Sequence, residues 1–221
     1  MGRERVAAFF DFDRTLVEVE SGKIGMEWLR KHDMLPPGFL ILVFLAGFLY
    51  KMRFISDERM VRILLTFYRG RRLGDFQRGA EEFYMGYLKP HLAPNILAKL
   101  DFHRGKGHLL VLISGSLRYL LEPVVKDLGF NVLLCTDLEV GADGLLTGKS
   151  KDGICVGENK KRLTLTLAER EGLDLAQSYA YGNDMVDLHL LEVVGNPSVV
   201  EPKAPLEKIA RRRSWPILYY R

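Results

Sequence analysis

Three short apolar runs, each closed by polar residues, constrain this chain more than any other feature of its sequence. Val6 to Phe12 is the first and ends in the acids Asp11 and Asp13. Leu109 to Ile113 is the second, followed at once by Ser114-Gly115-Ser116 and a helical pattern from Leu117 to Leu128. Tyr179 to Tyr181 is shorter and runs into Gly182-Asn183-Asp184 and a helical segment, and Ser198 to Val200 reads as a fourth. Continuous apolar runs of this length are strands buried on both faces, as in a parallel sheet. Alternation with helices makes the expected fold a doubly wound α/β sheet, whose ligand crevice lies outside the strand C-terminal ends. The polar residues that close each run are therefore expected along one edge.

The 221 residues suit one domain, or one domain carrying a smaller insert, and 48% hydrophobic against 27% charged residues excludes global disorder. Residues 21 to about 90 break the alternation and read as helices, Ile24 to His32, Asp57 to Tyr68 and Leu73 to Leu88. The expected organisation is a core of residues 1–16 and 91–221 with a helical insert at 17–90 that sits over the crevice. A short β excursion is expected at Val132 to Val140 and Leu145 to Gly148, turning at Gly141, Asp143 and Gly144. Phe39 to Tyr50 is the most apolar segment, twelve residues between Pro36-Pro37 and Lys51. A spanning helix needs about 20 apolar residues, so this one is expected not to cross a membrane. It reads either as a helix buried within the insert or as a greasy surface for a lipid-like substrate or a membrane edge.

The net charge of +4 and pI near 9.0 arise unevenly. Residues 203–221 hold six basic residues and one acid, and residues 17–90 are mildly basic, which leaves the remainder acidic. That distribution excludes a polybasic nucleic-acid binder. Arg211-Arg212-Arg213 reads as a solvated helix end that suits the helix dipole, with attraction to anionic lipid as the alternative. Cys135 and Cys155 form no CxxC, and His32, His91, His103, His108 and His189 are scattered, so neither a disulfide framework nor a zinc site is expected. The start MGRERV lacks a signal-peptide pattern, and a cytoplasmic protein is expected.

Four clusters carry chemistry. Asp11 and Asp13 are two positions apart at a strand end, where alternation turns both to one side. Two close carboxylates resist ionising together, which separates a nucleophile from a proton donor. Ser114, with the N–H groups of Gly115 and Ser116 opening a helix, suits a phosphate oxygen, although Ser is also a common helix cap. Lys160, in Gly157-Glu158-Asn159-Lys160-Lys161, is placed to neutralise phosphate and carboxylate, although such runs are often solvated faces. Gly182 to Asp187 clusters hard oxygen donors that suit Mg²⁺ together with a substrate phosphate.

In order and placement these clusters resemble the haloacid dehalogenase superfamily, specifically its phosphoserine-phosphatase-like IB branch. Asp11 to Leu16 resembles motif I, Ser114 motif II, Lys160 motif III and Gly182 to Asp187 motif IV; Thr136 to Leu163 and the ending SWPIL are also similar. The resemblance implies a Rossmann-like core with a helical cap, hydrolysing phosphate monoesters through a phospho-aspartyl intermediate. Asp11 would attack phosphorus, Asp13 would protonate the leaving alkoxide and then activate water, and Ser114 and Lys160 would bind the phosphoryl group. Thr15, Gly115 and Glu20 would contact substrate, Glu20 falling where phosphoserine phosphatases place a substrate-recognising glutamate, with a solvated residue at a helix start as the alternative for Glu20. Mg²⁺ would be held by Asp11, the Asp13 carbonyl and motif IV, drawn from Asn183, Asp184 and Asp187. The usual first acid of motif IV is here Asn183, with Asp184 able to take its place by a one-residue shift. Between Lys160 and Lys161, spacing to Gly157 favours Lys160. Three functions follow: a phosphatase for a small monoester such as phosphoserine, the same chemistry on a lipid or lysolipid phosphate, or a catalytically weak phosphate-binding protein.

Overall fold

The computed structural model describes residues 5–220; the first four residues of the MGRERV start and Arg221 of the basic tail lie outside the described residues. Its centre is a six-stranded parallel sheet in the order β3-β2-β1-β6-β7-β8. The strands are β1 (Ala7–Phe10), β2 (Leu109–Leu117), β3 (Val132–Thr136), β6 (Tyr179–Gly182), β7 (Asn196–Val200) and β8 (Ile217–Leu218). Phe10 pairs with Leu112 on one side and Tyr181 on the other, so β1 is central. Ala7 and Phe9 pack on one layer with Val111, Ile113 and Leu190, and Ala8 and Phe10 on the other with Leu112 and Leu121. Every residue of β1 is fully buried, which explains its unbroken apolar run. The order reverses at β1, with β2 on one side and β6 on the other, and this switch point opens the crevice at their C-terminal ends.

Helices α5 (Pro94–Gly105), α6 (Arg118–Leu128), α7 (Glu158–Glu171), α8 (Leu188–Leu191) and α9 (Ala204–Arg212) flank the sheet. Between β1 and α5 lie α1 (Ser21–Lys31), α2 (Pro37–Lys51), α3 (Asp57–Leu65) and α4 (Leu73–Phe83), the last continued by a π turn at Tyr84–Leu88. The expected excursion after α6 divides in two. Val132–Thr136 joins the main sheet beside β2, because Val132 to Leu134 pair with Val111 to Ile113. The remainder, β4 (Leu138–Val140) and β5 (Leu146–Ser150), forms a separate antiparallel ribbon. The ribbon supports the helical segment: Leu138 and Leu146 pack with Leu65, Phe67, Phe76 and Tyr119. Strand β8, two residues at the sheet edge, carries too short a pattern to read from the sequence.

The reading of Phe39 to Tyr50 as a helix buried within the insert does not hold. In α2 Ala46 is the one fully buried residue, while Ile41, Phe44 and Phe48 are 63%, 76% and 59% exposed. Phe39 is anchored by Phe67, ring centroids 5.2 Å apart. Among the described residues no helix is long and apolar enough to cross a membrane, and Cys135 and Cys155 are both free thiols.

Candidate active site

Asp11 follows β1 directly, its N–H donating to the Tyr181 carbonyl at 2.9 Å, so the strand pairing itself fixes its place. One carboxylate oxygen accepts from Thr15 Oγ1 at 3.1 Å, the other from Lys160 Nζ at 2.6 Å. Of the two adjacent lysines, Lys160 is the one that points inward; it is 1% exposed and its ammonium also reaches Asp187 Oδ1 at 2.6 Å. Gly157, with φ of +52°, precedes α7 and turns the chain so that the first helical turn delivers this side chain. Thr15, Asp11 and Asp187 are likewise buried.

Asp13 sits past the end of the strand rather than within it. Its Oδ2 accepts from Ser116 Oγ at 2.7 Å, and its Oδ1 accepts from the Ser21 N–H at the start of α1. The Ser21 and Ser116 hydroxyls lie 3.0 Å apart, closing a small network from three distant chain segments. Neither serine side chain stood out in the sequence, because their partnership with Asp13 depends on the crossover from β1 to β2. Ser114 is buried and its Oγ accepts from the Ser116 N–H at 3.1 Å, so it shapes the loop after β2. Gly115 packs closely there: a Cβ would meet Val156 Cγ1 at 3.0 Å, so Val156 would have to shift to admit one.

In motif IV the acids have protein partners of their own. Asp187 Oδ2 accepts from the N–H groups of Asn183 (3.0 Å) and Asp184 (3.2 Å), and a Cβ at Gly182 would lie 2.7 Å from Asp187 Cβ. Asp184 caps the turn at Met185–Asp187, accepting from the Met185 N–H at 2.6 Å, and pairs with Lys203. Asn183 is buried with its amide nitrogen unpartnered. Turning that amide over costs no hydrogen bond and presents its oxygen instead.

Burial pushes the Asp11 carboxyl up to about 7, with Asp187 adding to the rise and Lys160 opposing it. Asp187, and not Asp13, is thus the stronger like-charge neighbour of Asp11. Burial also raises Asp13, against the lowering effect of its bonds from Ser116 and Ser21. Burial would lower the Lys160 ammonium, but Asp11 and Asp187 more than reverse this and hold it above its ordinary value. With all groups ionised, Asp11, Asp13 and Asp187 outnumber Lys160, so a phosphate dianion would meet excess negative charge.

Among the described residues no three His, Cys, Asp or Glu side chains converge to hold a metal on their own. A hard cation with several waters asks for less. The Asp11 carboxylate, the Asp13 main-chain carbonyl and the Asn183 amide oxygen supply oxygen donors of the right chemistry, and the buried, unpartnered Asn183 amide marks where one is wanted. This set fits Mg²⁺.

These groups sit at one end of a cavity of about 730 Å³ that continues under the helices between β1 and α5. Glu20 lines it and is paired with Lys23 at 2.7 Å. Arg14, at φ of +55°, also lines it, and its carbonyl accepts from the Tyr220 hydroxyl.

A family profile described as haloacid dehalogenase-like hydrolase matches residues 8–192. A histidinol-phosphatase of Neisseria meningitidis is 34% identical over 228 residues, covering 97% of this chain and 98% of that protein. A phosphoserine phosphatase of Mycobacterium tuberculosis is 29% identical over 230 residues, covering 97% of this chain and 71% of that one. A crystal structure from Bordetella pertussis, of a protein of unknown function, matches with a TM-score of 0.88 at 24% identity over 99% of this chain and 100% of its own. Since the profile spans both flanks of the switch point, from β1 through Lys160 to motif IV, the chain belongs to the haloacid dehalogenase-like hydrolase family.

Proposed function

We propose that this chain, a phosphoric monoester hydrolase, works through covalent phosphorylation of Asp11 with Mg²⁺ as cofactor. The observation that carries the reading is the Lys160 ammonium held 2.6 Å from both Asp11 and Asp187 at the inner end of a cavity that Asp13 also lines. Lys160 keeps the nucleophile fixed and offsets charge on the arriving phosphoryl group. An Asp11 oxygen bonds to phosphorus as the bond from phosphorus to the ester oxygen breaks, and Asp13 gives its proton to the departing alkoxide. Asp13 then takes a proton from water, whose oxygen attacks the same phosphorus; the bond to Asp11 breaks and inorganic phosphate leaves.

Ser116 and Ser21 orient Asp13 for both transfers, and Ser114 and the Gly115 N–H, which line the same cavity, bind the phosphoryl oxygens. Asp11, the Asp13 carbonyl and Asn183 would hold Mg²⁺, whose positive charge would offset the repulsion between an anionic ester and an anionic nucleophile. Asp187 serves as the anchor of Lys160 and of the motif IV backbone, and Asp184 as a turn cap. Residues 17–90 act as a cap over a core of 1–16 and 91–221, and the two free thiols suit a cytoplasmic setting.

Phosphate release from p-nitrophenyl phosphate, with and without Mg²⁺, tests this reading. Release that requires Mg²⁺ and is abolished by Asp11→Asn is expected. Release unaffected by Asp11→Asn would overturn the assignment, and no release from any monoester would leave only a phosphate-binding protein.

A further inference from the structure

The cavity is far larger than a phosphoryl group requires, and its character changes along its length. Its inner end carries Asp11, Asp13, Lys160 and Asn183; beyond Ser116 the wall is built from side chains such as Trp28, Leu29, Phe67, Phe76 and Phe83. The charged side chains that the segment from α1 to α4 brings to this wall are Lys23, paired with Glu20 at 2.7 Å, and Asp75, paired with Arg78 at 2.5 Å. A wall of this kind holds an apolar chain, although Arg14, Glu20 and Lys203 also line the cavity.

Helix α2 joins this cavity to the outside. Val43 and Tyr50, seven residues apart, lie on the cavity wall, with the buried Ala46 between them on the same face. The opposite face carries Ile41, Phe44, Leu45 and Phe48 at positions i, i+3, i+4 and i+7, each more than half exposed. Past the helix end Met52 and Phe54 are also exposed, at 55% and 72%. The helix contains no acid, and the exposed cations Lys51 and Arg53 close it. At 15 residues it is about 22 Å long, short of the roughly 30 Å of a bilayer core. It can therefore lie in a membrane interface and cannot span one.

We propose that the substrate is a phosphomonoester bearing a long apolar chain, drawn from an anionic lipid surface on which the outer face of α2 rests. This rests on the phosphatase reading and adds the substrate class to it. The cations beside α2 match an anionic surface, and the inner face of α2 offers the chain an apolar route to Asp11 that avoids water.

Turnover of long-chain lysophosphatidate in anionic vesicles, glycerol 3-phosphate, phosphoserine, histidinol phosphate and p-nitrophenyl phosphate, all with Mg²⁺, tests the proposal. The expected kcat/KM for lysophosphatidate exceeds that for glycerol 3-phosphate, which has the same phosphorylated end, by at least tenfold. The Phe44→Glu, Phe48→Glu double variant is expected to lose cosedimentation with the vesicles and most of the chain-length advantage, with p-nitrophenyl phosphate reporting an intact site. Hydrolysis of p-nitrophenyl phosphate with no chain-length advantage, or with phosphoserine or histidinol phosphate preferred, overturns the proposal and leaves the phosphatase reading standing. Failure on every ester, p-nitrophenyl phosphate included, overturns both. A concentration-dependent dimer that the double variant abolishes, with no vesicle binding, assigns α2 to a second copy and also overturns it.

Discussion

Lys160 connects the stability of this molecule to its chemistry. A fully buried ammonium is tolerated because two carboxylates contact it, and those carboxylates are tolerated because it is there. Lys160→Met would leave Asp11 and Asp187 facing each other without a cation, a loss of about 3–5 kcal/mol by comparison with other broken buried pairs. Denaturant titration is expected to show this loss, and Lys160→Met with Asp187→Asn is expected to recover part of it; full additivity of the two changes would mean the residues are not coupled. Asp13→Asn should lower turnover of alkyl phosphates by roughly 10²–10⁴ with the melting temperature little changed, as for removal of a general acid. Unchanged turnover would remove Asp13 from its role. Asp11 and Asp13 were legible in the sequence because acids are unusual directly at the end of an apolar strand; Lys160, in the first turn of α7, was legible only through its order among the other clusters, because a Lys-Lys-Arg run on its own reads as a solvated face. Ser116 was not legible as a partner of Asp13, because 103 residues separate them and only the sheet order brings them together.

At the scale of elements, the strand-to-loop junctions position the chemistry. Gly182 lets Asp187 fold back over β6, and its Cα has no room for a methyl group. Gly182→Ala is therefore expected to push Asp187 off the Asn183 and Asp184 amides and lower activity at least tenfold, with the rest of the sheet intact; a crystal structure of the variant with Asp187 unmoved would contradict this. The central strands were readable because burial on both faces leaves an unbroken apolar run. Val132 to Val140 misled because a strand of the main sheet and a ribbon strand follow one another in a single apolar pattern, and only pairing with Val111 to Ile113 separates them. The apolar pattern of α2 was equally ambiguous: hydrophobicity reports what a helix avoids, and says nothing of whether protein or another surface covers it.

For the molecule as a whole, pH sensitivity has a source away from the catalytic groups. His103 on α5 is fully buried, with Nε2 2.8 Å from the Tyr181 hydroxyl and Nδ1 2.9 Å from His108 Nδ1. Burial, then His108 and Lys99, push it down to about 4 from an ordinary 6.5. The folded state thus binds fewer protons than the unfolded chain between those values, and stability falls as pH drops from about 6.5 through 4. His103→Gln should flatten the fall in melting temperature over that range, and an unchanged slope would place the sensitivity elsewhere. The central claim, that Asp11 carries the phosphoryl group, is tested most directly by a pre-steady-state burst in Asp13→Asn. p-Nitrophenolate leaves without a proton, so the first half-reaction should survive while hydrolysis of the aspartyl phosphate slows. The expected result is a burst of p-nitrophenol approaching one equivalent per enzyme, with phosphate on the acid-quenched peptide that contains Asp11; slow linear release with no burst, or phosphate on another residue, would contradict it.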